Sequence, residues 1–126
     1  MTFVTIVRHV LAALIAAACV ILFATLGGSK YLGAHHFWDL KTALIGAPIG
    51  AVVFLLSFRL PKQFTLYIFL ALGIASFVTA HLGKTEFAAS YAENQTAGKF
   101  WYFGWVGVAA AFTACLGRLL TMGSKE

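Results

Sequence analysis

The stretch VLAALIAAACVILFATL at residues 10–26 is an apolar run that contains no charged side chain. Three further runs share this character, at residues 42–58, 64–82 and 100–117. Each run is about 17–19 residues long, and roughly 20 residues at 1.5 Å each cross the ~30 Å hydrocarbon core of a bilayer. The runs do not alternate polar and apolar residues as barrel strands do. Because lipid offers no hydrogen bonds to the backbone, the runs predict four transmembrane α-helices.

The composition of the whole chain agrees with this prediction. Of the 126 residues, 61% are hydrophobic and 10% are charged, whereas soluble domains have about 45–50% apolar and about 25% charged residues. Too few charges remain to cover a water-exposed surface, so a soluble monomer is excluded. We therefore expect an all-α integral membrane protein, a four-transmembrane-helix bundle in one domain over residues 1–126. The expected spans are residues 8–27, 42–59, 64–82 and 100–119.

The first span also has some features of a signal peptide that ends near Cys19. Its apolar run continues well beyond Cys19, which a cleaved signal does not need. Residues 1–26 are therefore expected to belong to the mature fold.

The connections between the spans predict an orientation. Residues 59–63 form a short loop, so the second and third spans are expected to make a tight antiparallel hairpin, while two longer loops share the opposite face. All arginines (Arg8, Arg59 and Arg118) lie on the face of the short loop. The positive-inside rule then predicts cytoplasmic termini, in a bacterial inner membrane. Lysines are spread over both faces, which leaves the inverted or a dual insertion open. The net charge of +5 fits anchoring at an anionic leaflet rather than nucleic-acid binding.

Small residues in two spans predict close helix packing. Pro48 lies between Gly46 and Gly50 and is expected to kink the second span, because it removes a backbone hydrogen bond. Gly104 and Gly107 give the fourth span a similarly smooth surface. Glycines spaced in this way let another helix approach closely. Internal packing, a partner helix and lipid contact all remain open for these surfaces.

Aromatic residues cluster around the two longer loops. An interfacial aromatic belt, typical of membrane proteins, is predicted from Tyr31, Trp38, Trp101, Tyr102 and Trp105. Residues 85–93 are expected to form a separate short amphipathic helix on the same interface. The alternative is that these rings stack on a cofactor or a pigment.

The four apolar runs contain no aspartate, glutamate, lysine or arginine, which argues against a proton-coupled transporter. The histidines His9, His35, His36 and His81 match no tight metal-binding motif. His9 and His81 are predicted at opposite ends of the bundle, so they cannot clamp a haem between them. No metal and no cofactor are expected, and the protein is not expected to be an enzyme.

Two functions fit these observations better than a third, a membrane enzyme that uses the outer histidines. The first is a non-catalytic accessory or structural subunit of a larger membrane protein complex, with partner subunits and the lipid bilayer around it. The second is a small homo-oligomeric channel or carrier for a neutral or weakly polar solute. Its pore would be lined by hydroxyl groups within the spans, from Thr25, Ser57, Ser76, Thr79 and Thr113. Such hydroxyls can equally bond to carbonyls of their own helix.

Overall fold

The computed structural model describes residues 2–35 and 38–123, without the side chain of Ser29. The elements in chain order are α1 (Phe3–Thr25), α2 (Gly28–Tyr31), α3 (Asp39–Leu56), α4 (Lys62–Ala89) and α5 (Gln95–Thr121). All the long helices, α1, α3, α4 and α5, have the length and the apolar composition to cross a membrane. The prediction of an all-helical chain with four such helices is therefore confirmed. The observed α4 and α5 extend beyond the expected spans 64–82 and 100–119.

Side-chain caps explain where the first and last helices begin. The Thr2 hydroxyl accepts a hydrogen bond from the Thr5 backbone N–H at 3.2 Å, at the start of α1. The Asn94 side-chain oxygen accepts one from Ala97 N–H at 3.0 Å, at the start of α5. Each cap satisfies a backbone donor that the first helical turn leaves without an intrahelical partner. After α1, Gly27 adopts the left-handed conformation with φ +88°, which glycine accepts without steric cost.

The predicted separate helix at residues 85–93 is wrong, because α4 continues without a break to Ala89. The Thr85 hydroxyl does not cap a new helix. It donates instead to the His81 carbonyl of the preceding turn at 3.0 Å. The chain leaves the helical direction only at Tyr91 and Ala92, whose φ angles are +57° and +65°.

The helix α5 lies at the centre of the bundle. It contacts α1, α3 and α4, and α1 also packs against α3. In the described chain α3 does not contact α4, and α1 does not pack against α4. The expected tight hairpin of the second and third spans is therefore wrong, because α5 lies between them. Of the described helices, only α5 packs against α4.

The described contacts define two ends of the bundle. We call the first the basic end: Arg118 of α5 bonds to Ser57 after α3, and Lys62 of α4 bonds to Thr121 of α5. We call the other the aromatic end, where Trp101 of α5 contacts Trp38 and bonds to the Gly33 carbonyl. The helix α4 therefore runs antiparallel to α5, whereas α3 runs parallel to it.

Candidate functional site

The small residues of α3 face α5 within the chain. A Cβ atom at Gly46 would lie 2.5 Å from the Val106 carbonyl oxygen and 2.7 Å from the Ala109 Cβ. A Cβ atom at Gly50 would overlap the Ala110 carbonyl group. Pro48, between them, is exposed on the outer side of α3. Of the three arrangements left open for Gly46 and Gly50, the structure has the internal one.

Small residues also join α5 to α4. A Cβ atom at Gly104 would lie 2.7 Å from the Ala80 Cβ, and one at Gly107 would lie 2.5 Å from the Ser76 Oγ. The reverse contact is made by Gly83 of α4, where a Cβ would lie 2.6 Å from the Trp101 backbone nitrogen. On both sides of α5, the neighbouring helix therefore lies so close that a Cβ atom at these glycines would overlap it. The glycine surfaces that the sequence analysis identified therefore pack against helices of the same chain.

A buried arginine organises the basic end. Arg118 is 1% exposed, although it stands in the last turn of α5. Its Nη2 atom donates to the Ser57 carbonyl at 3.1 Å and to the Ser57 Oγ at 2.8 Å. The guanidinium carbon also lies 5.3 Å from the centre of the Phe54 ring. A planar guanidinium suits this combination of hydrogen bonds to two acceptors and contact with an aromatic face.

His9 is buried beside the same phenylalanine. It is 3% exposed, and its ring stacks on Phe54 with centroids 5.7 Å apart and planes 11° apart. The Nδ1 atom lies 2.9 Å from the Thr5 carbonyl. Because a carbonyl only accepts, Nδ1 carries the proton of this hydrogen bond. We call His9, Phe54, Ser57 and Arg118 the buried basic cluster. It joins α1, α3 and α5, and the sequence did not reveal it.

Lys62 closes the basic end from the side of α4. Its Nζ atom donates to the Thr121 carbonyl at 3.0 Å. This carbonyl belongs to the last turn of α5, where a lysine satisfies a backbone acceptor and interacts favourably with the helix dipole. Lys62 thereby ties the start of α4 to the end of α5.

Aromatic rings fill the opposite end. Trp101 donates through Nε1 to the Gly33 carbonyl at 2.9 Å, and its ring meets those of Trp38 and His35 at 5.1 and 5.2 Å. Tyr102 contacts Trp38 at 5.1 Å. Trp101 and Trp105 are 8% and 4% exposed, so both face the interior of the chain, whereas Tyr31 is 90% exposed. The predicted set of aromatic residues therefore contains both interior and surface side chains.

The histidines that the structure describes lie on different parts of the fold. His35 belongs to the aromatic cluster, and His81 is exposed on α4. His36 lies outside the described residues. Within residues 2–35 and 38–123, no group of three or more histidine, cysteine or acidic side chains is placed to hold a metal ion.

The hydroxyls proposed to line a pore lie at separate places. Thr25 and Thr79 are exposed, and each donates to a carbonyl of its own helix at 2.8 Å. Ser57 belongs to the buried basic cluster, and Ser76 lies against Gly107. Thr113 is completely buried beside Gly50, and its hydroxyl has no hydrogen-bond partner within the described part of the chain.

A lateral cleft opens where α1 and α4 stay apart. It encloses a cavity of about 460 Å³, within the range of about 300–1,000 Å³ that is usual for ligand sites. Its walls are almost entirely apolar, and Thr42 supplies its one hydroxyl among the described residues. We call it the α1–α4 cleft. The residues that line it include Cys19, Phe23, Phe69, Phe77, Trp105 and Leu116.

A smaller cavity of about 160 Å³ adjoins the cleft at the aromatic end. The two cavities share Leu32, Phe77 and Trp105 in their walls. The smaller one adds polar and basic side chains, and we call it the mouth of the cleft. These side chains come from Tyr31, His81 and Lys84. The described chain therefore contains an apolar, ligand-sized space that ends at a basic, polar mouth.

Comparison of the chain with family models, with curated proteins and with solved structures finds no match.

Proposed function

We propose that the four long helices cross a membrane and that the protein is a non-catalytic accessory subunit of a larger membrane complex. The observation that carries the proposal is the one-sided attachment of α4. This helix is 28 residues long, yet of the described helices only α5 packs against it. Its opposite face is available to a partner.

That face has the chemistry of a helix contact in lipid. Ala71, Ala75 and Thr79 are spaced by four residues and are all exposed, which places them in one row along α4. The row lies away from Ala80 and Phe69, which are buried on the side of α5. Small residues at this spacing permit close approach of another helix, and packing is the main force that joins helices in lipid. The Thr79 hydroxyl is already bonded to the Ala75 carbonyl, so a partner does not bury an unsatisfied donor.

A substitution in the row tests this proposal. Ala75→Phe places a ring where the partner backbone would run, and overpacking a tight contact costs about 1–3 kcal/mol. We expect the amount of co-purified partner to fall about tenfold, which corresponds to about 1.4 kcal/mol. The melting temperature of the chain itself should stay unchanged, because residue 75 does not face α5. Quantitative mass spectrometry after gentle purification identifies the partner and measures its stoichiometry.

Ala18→Phe is the matched control, since Ala18 is equally exposed but belongs to α1. It should leave the partner in place. Equal recovery of partner with Ala75→Phe and Ala18→Phe would contradict the proposal. A purified assembly that contains only copies of this chain would replace it with the homo-oligomeric channel or carrier.

We further propose that the basic end faces the cytoplasm of a bacterial inner membrane. Arg8 and Arg59 are exposed there, where basic side chains favour retention on the cytoplasmic side. In this orientation the aromatic end and the mouth of the cleft lie at the outer interface.

Cysteine labelling in whole cells tests the orientation. In a Cys19→Ala, Cys115→Ala background, Gln63→Cys should react only after the membrane is opened, and Glu93→Cys should react in intact cells. Both positions are exposed and make no cap or buried contact. The reverse pattern would invert the orientation, and labelling of both sites from both sides would indicate dual insertion.

A further inference from the structure

The α1–α4 cleft has the length of a lipid chain in one leaflet. Along α5 it extends from Trp105 to Leu116, which is about 16 Å at a rise of 1.5 Å per residue. Half of a ~30 Å hydrocarbon core is about 15 Å. The cleft is therefore about as long as an acyl chain that occupies one leaflet. Its lateral opening between α1 and α4 faces the bilayer, from which a chain can enter.

The mouth is basic. Lys84 extends across it, because its Nζ atom lies 3.7 Å from the position of a Cβ atom at Gly33 and 5.9 Å from the centre of the Trp101 ring. His81 stands one turn earlier on the same side of α4, and Tyr31 adds a hydroxyl. The described residues that line the mouth include no aspartate or glutamate. This arrangement complements an anion.

We propose that the cleft binds one acyl chain of an anionic phospholipid, with the lipid phosphate held at the mouth by Lys84 and His81. The proposal rests on the membrane insertion stated above, but it does not depend on a partner subunit. The apolar walls accept methylene groups, and the ammonium group of Lys84 supplies a charge-assisted contact to a phosphate oxygen. A bound lipid would complete the surface between two helices that do not pack against each other.

A partner helix fits this space poorly. A helix about 10 Å across and 16 Å long occupies roughly 1,200 Å³, more than twice the cavity of about 460 Å³. An acyl chain is much thinner and can bend with the walls. The volume therefore favours a lipid chain, and a second copy of the protein is an outcome for the test.

Native mass spectrometry of the full chain tests the proposal. The protein is reconstituted into vesicles of equal parts phosphatidylglycerol and phosphatidylcholine with the same acyl chains, then extracted in mild detergent. We expect one retained phosphatidylglycerol per chain. Lys84→Gln should lower this retention about fivefold, which corresponds to about 1 kcal/mol for one basic residue at an anionic lipid. Lys99→Gln, an equal loss of charge at an exposed position of α5, should leave it unchanged.

A second pair of variants tests the cleft itself. Cys19→Trp fills the cavity from α1 and should abolish retention of the lipid, whereas Ala18→Trp on the neighbouring exposed position should not. Thermal melting of each variant checks that the bundle is intact. Equal retention of the two lipids would overturn the proposal, as would phosphatidylglycerol that survives in Cys19→Trp.

A dimer that dissociates on Cys19→Trp would also overturn it, in favour of a second copy in the cleft. A different result would show that the subunit proposal fails while the lipid proposal holds. In that case Ala75→Phe leaves the assembly unchanged while lipid retention still depends on Lys84. Recovery of the chain in the soluble fraction after cell disruption would contradict membrane insertion and, with it, both proposals.

Discussion

Gly50→Leu is expected to separate α3 from α5 and to lower the stability of the bundle by about 3 kcal/mol or more. Even the first carbon of the new side chain overlaps the Ala110 carbonyl, and Thr113 Cβ lies 2.8 Å from the same position. A backbone carbonyl in the middle of a helix cannot move aside, so the two helices must part. Overpacking costs about 1–3 kcal/mol where side chains can adjust, and this contact offers no such adjustment.

Melting in detergent, followed by circular dichroism or by a dye that reports exposed cysteine, measures the effect. Val52→Leu is the control, because Val52 is on the same helix and 54% exposed. It should leave the melting temperature unchanged. If Gly50→Leu melts like the wild-type protein and loses a partner subunit instead, this face of α3 meets another chain and the packing of α5 described above is wrong.

Arg118→Ala is expected to lower stability by about 2–4 kcal/mol. The change removes two hydrogen bonds from a charged donor to Ser57 and leaves a cavity next to Phe54. Bonds from charged groups contribute about 1.5–3 kcal/mol, and large-to-small changes in a core add a cost for the void. Arg118→Lys should recover only part of the loss, because an ammonium group cannot reproduce the contact of the planar guanidinium with the Phe54 ring.

Two further variants separate the contributions. Ser57→Ala removes the bond at 2.8 Å but keeps the carbonyl acceptor, so it should cost about 1 kcal/mol. Arg59→Ala removes an exposed arginine near the same end and should stay within about 0.5 kcal/mol. A double-mutant cycle between positions 57 and 118 should show coupling. Wild-type melting of Arg118→Ala would mean that the guanidinium contributes nothing to the packing of α3 on α5.

The four long helices could be predicted because their cause is local. Every charged residue lies outside the apolar runs, and composition alone decides which runs are long enough to span a membrane. The arrangement of the helices could not be predicted in this way. Glycines in α3 and in α5 both permit close packing, but the sequence does not state which surface meets which. The short connection after Ser57 suggested that α3 and α4 pair, whereas the small residues of α5 favour packing between them.

The candidate sites were harder to predict for a related reason. Arg118 follows an apolar run, where an arginine usually reaches the interface, and its acceptor Ser57 is distant in sequence. The neighbouring Gly117 lets Phe54 approach, because a Cβ there would lie 2.8 Å from the Phe54 ring, but this contact is visible only in the structure. The cleft depends on α1 and α4 staying apart, which no single segment encodes. Lys84 was visible in the sequence as a loop charge, and only the extension of α4 to Ala89 places it over the mouth.

The central position of α5 has a consequence for biosynthesis. The ribosome adds about 5–20 residues per second, so α1, α3 and α4 emerge seconds before the helix on which all of them pack. If the helices insert as proposed, each must enter the bilayer on its own apolar character before α5 is present, although α1 and α3 can already pack against each other. The least apolar of the four long helices is α5, and it is also the one with the largest buried share. Because α5 is synthesised last, the helices that bury it are already present when it appears. Contacts with them can compensate for its lower hydropathy.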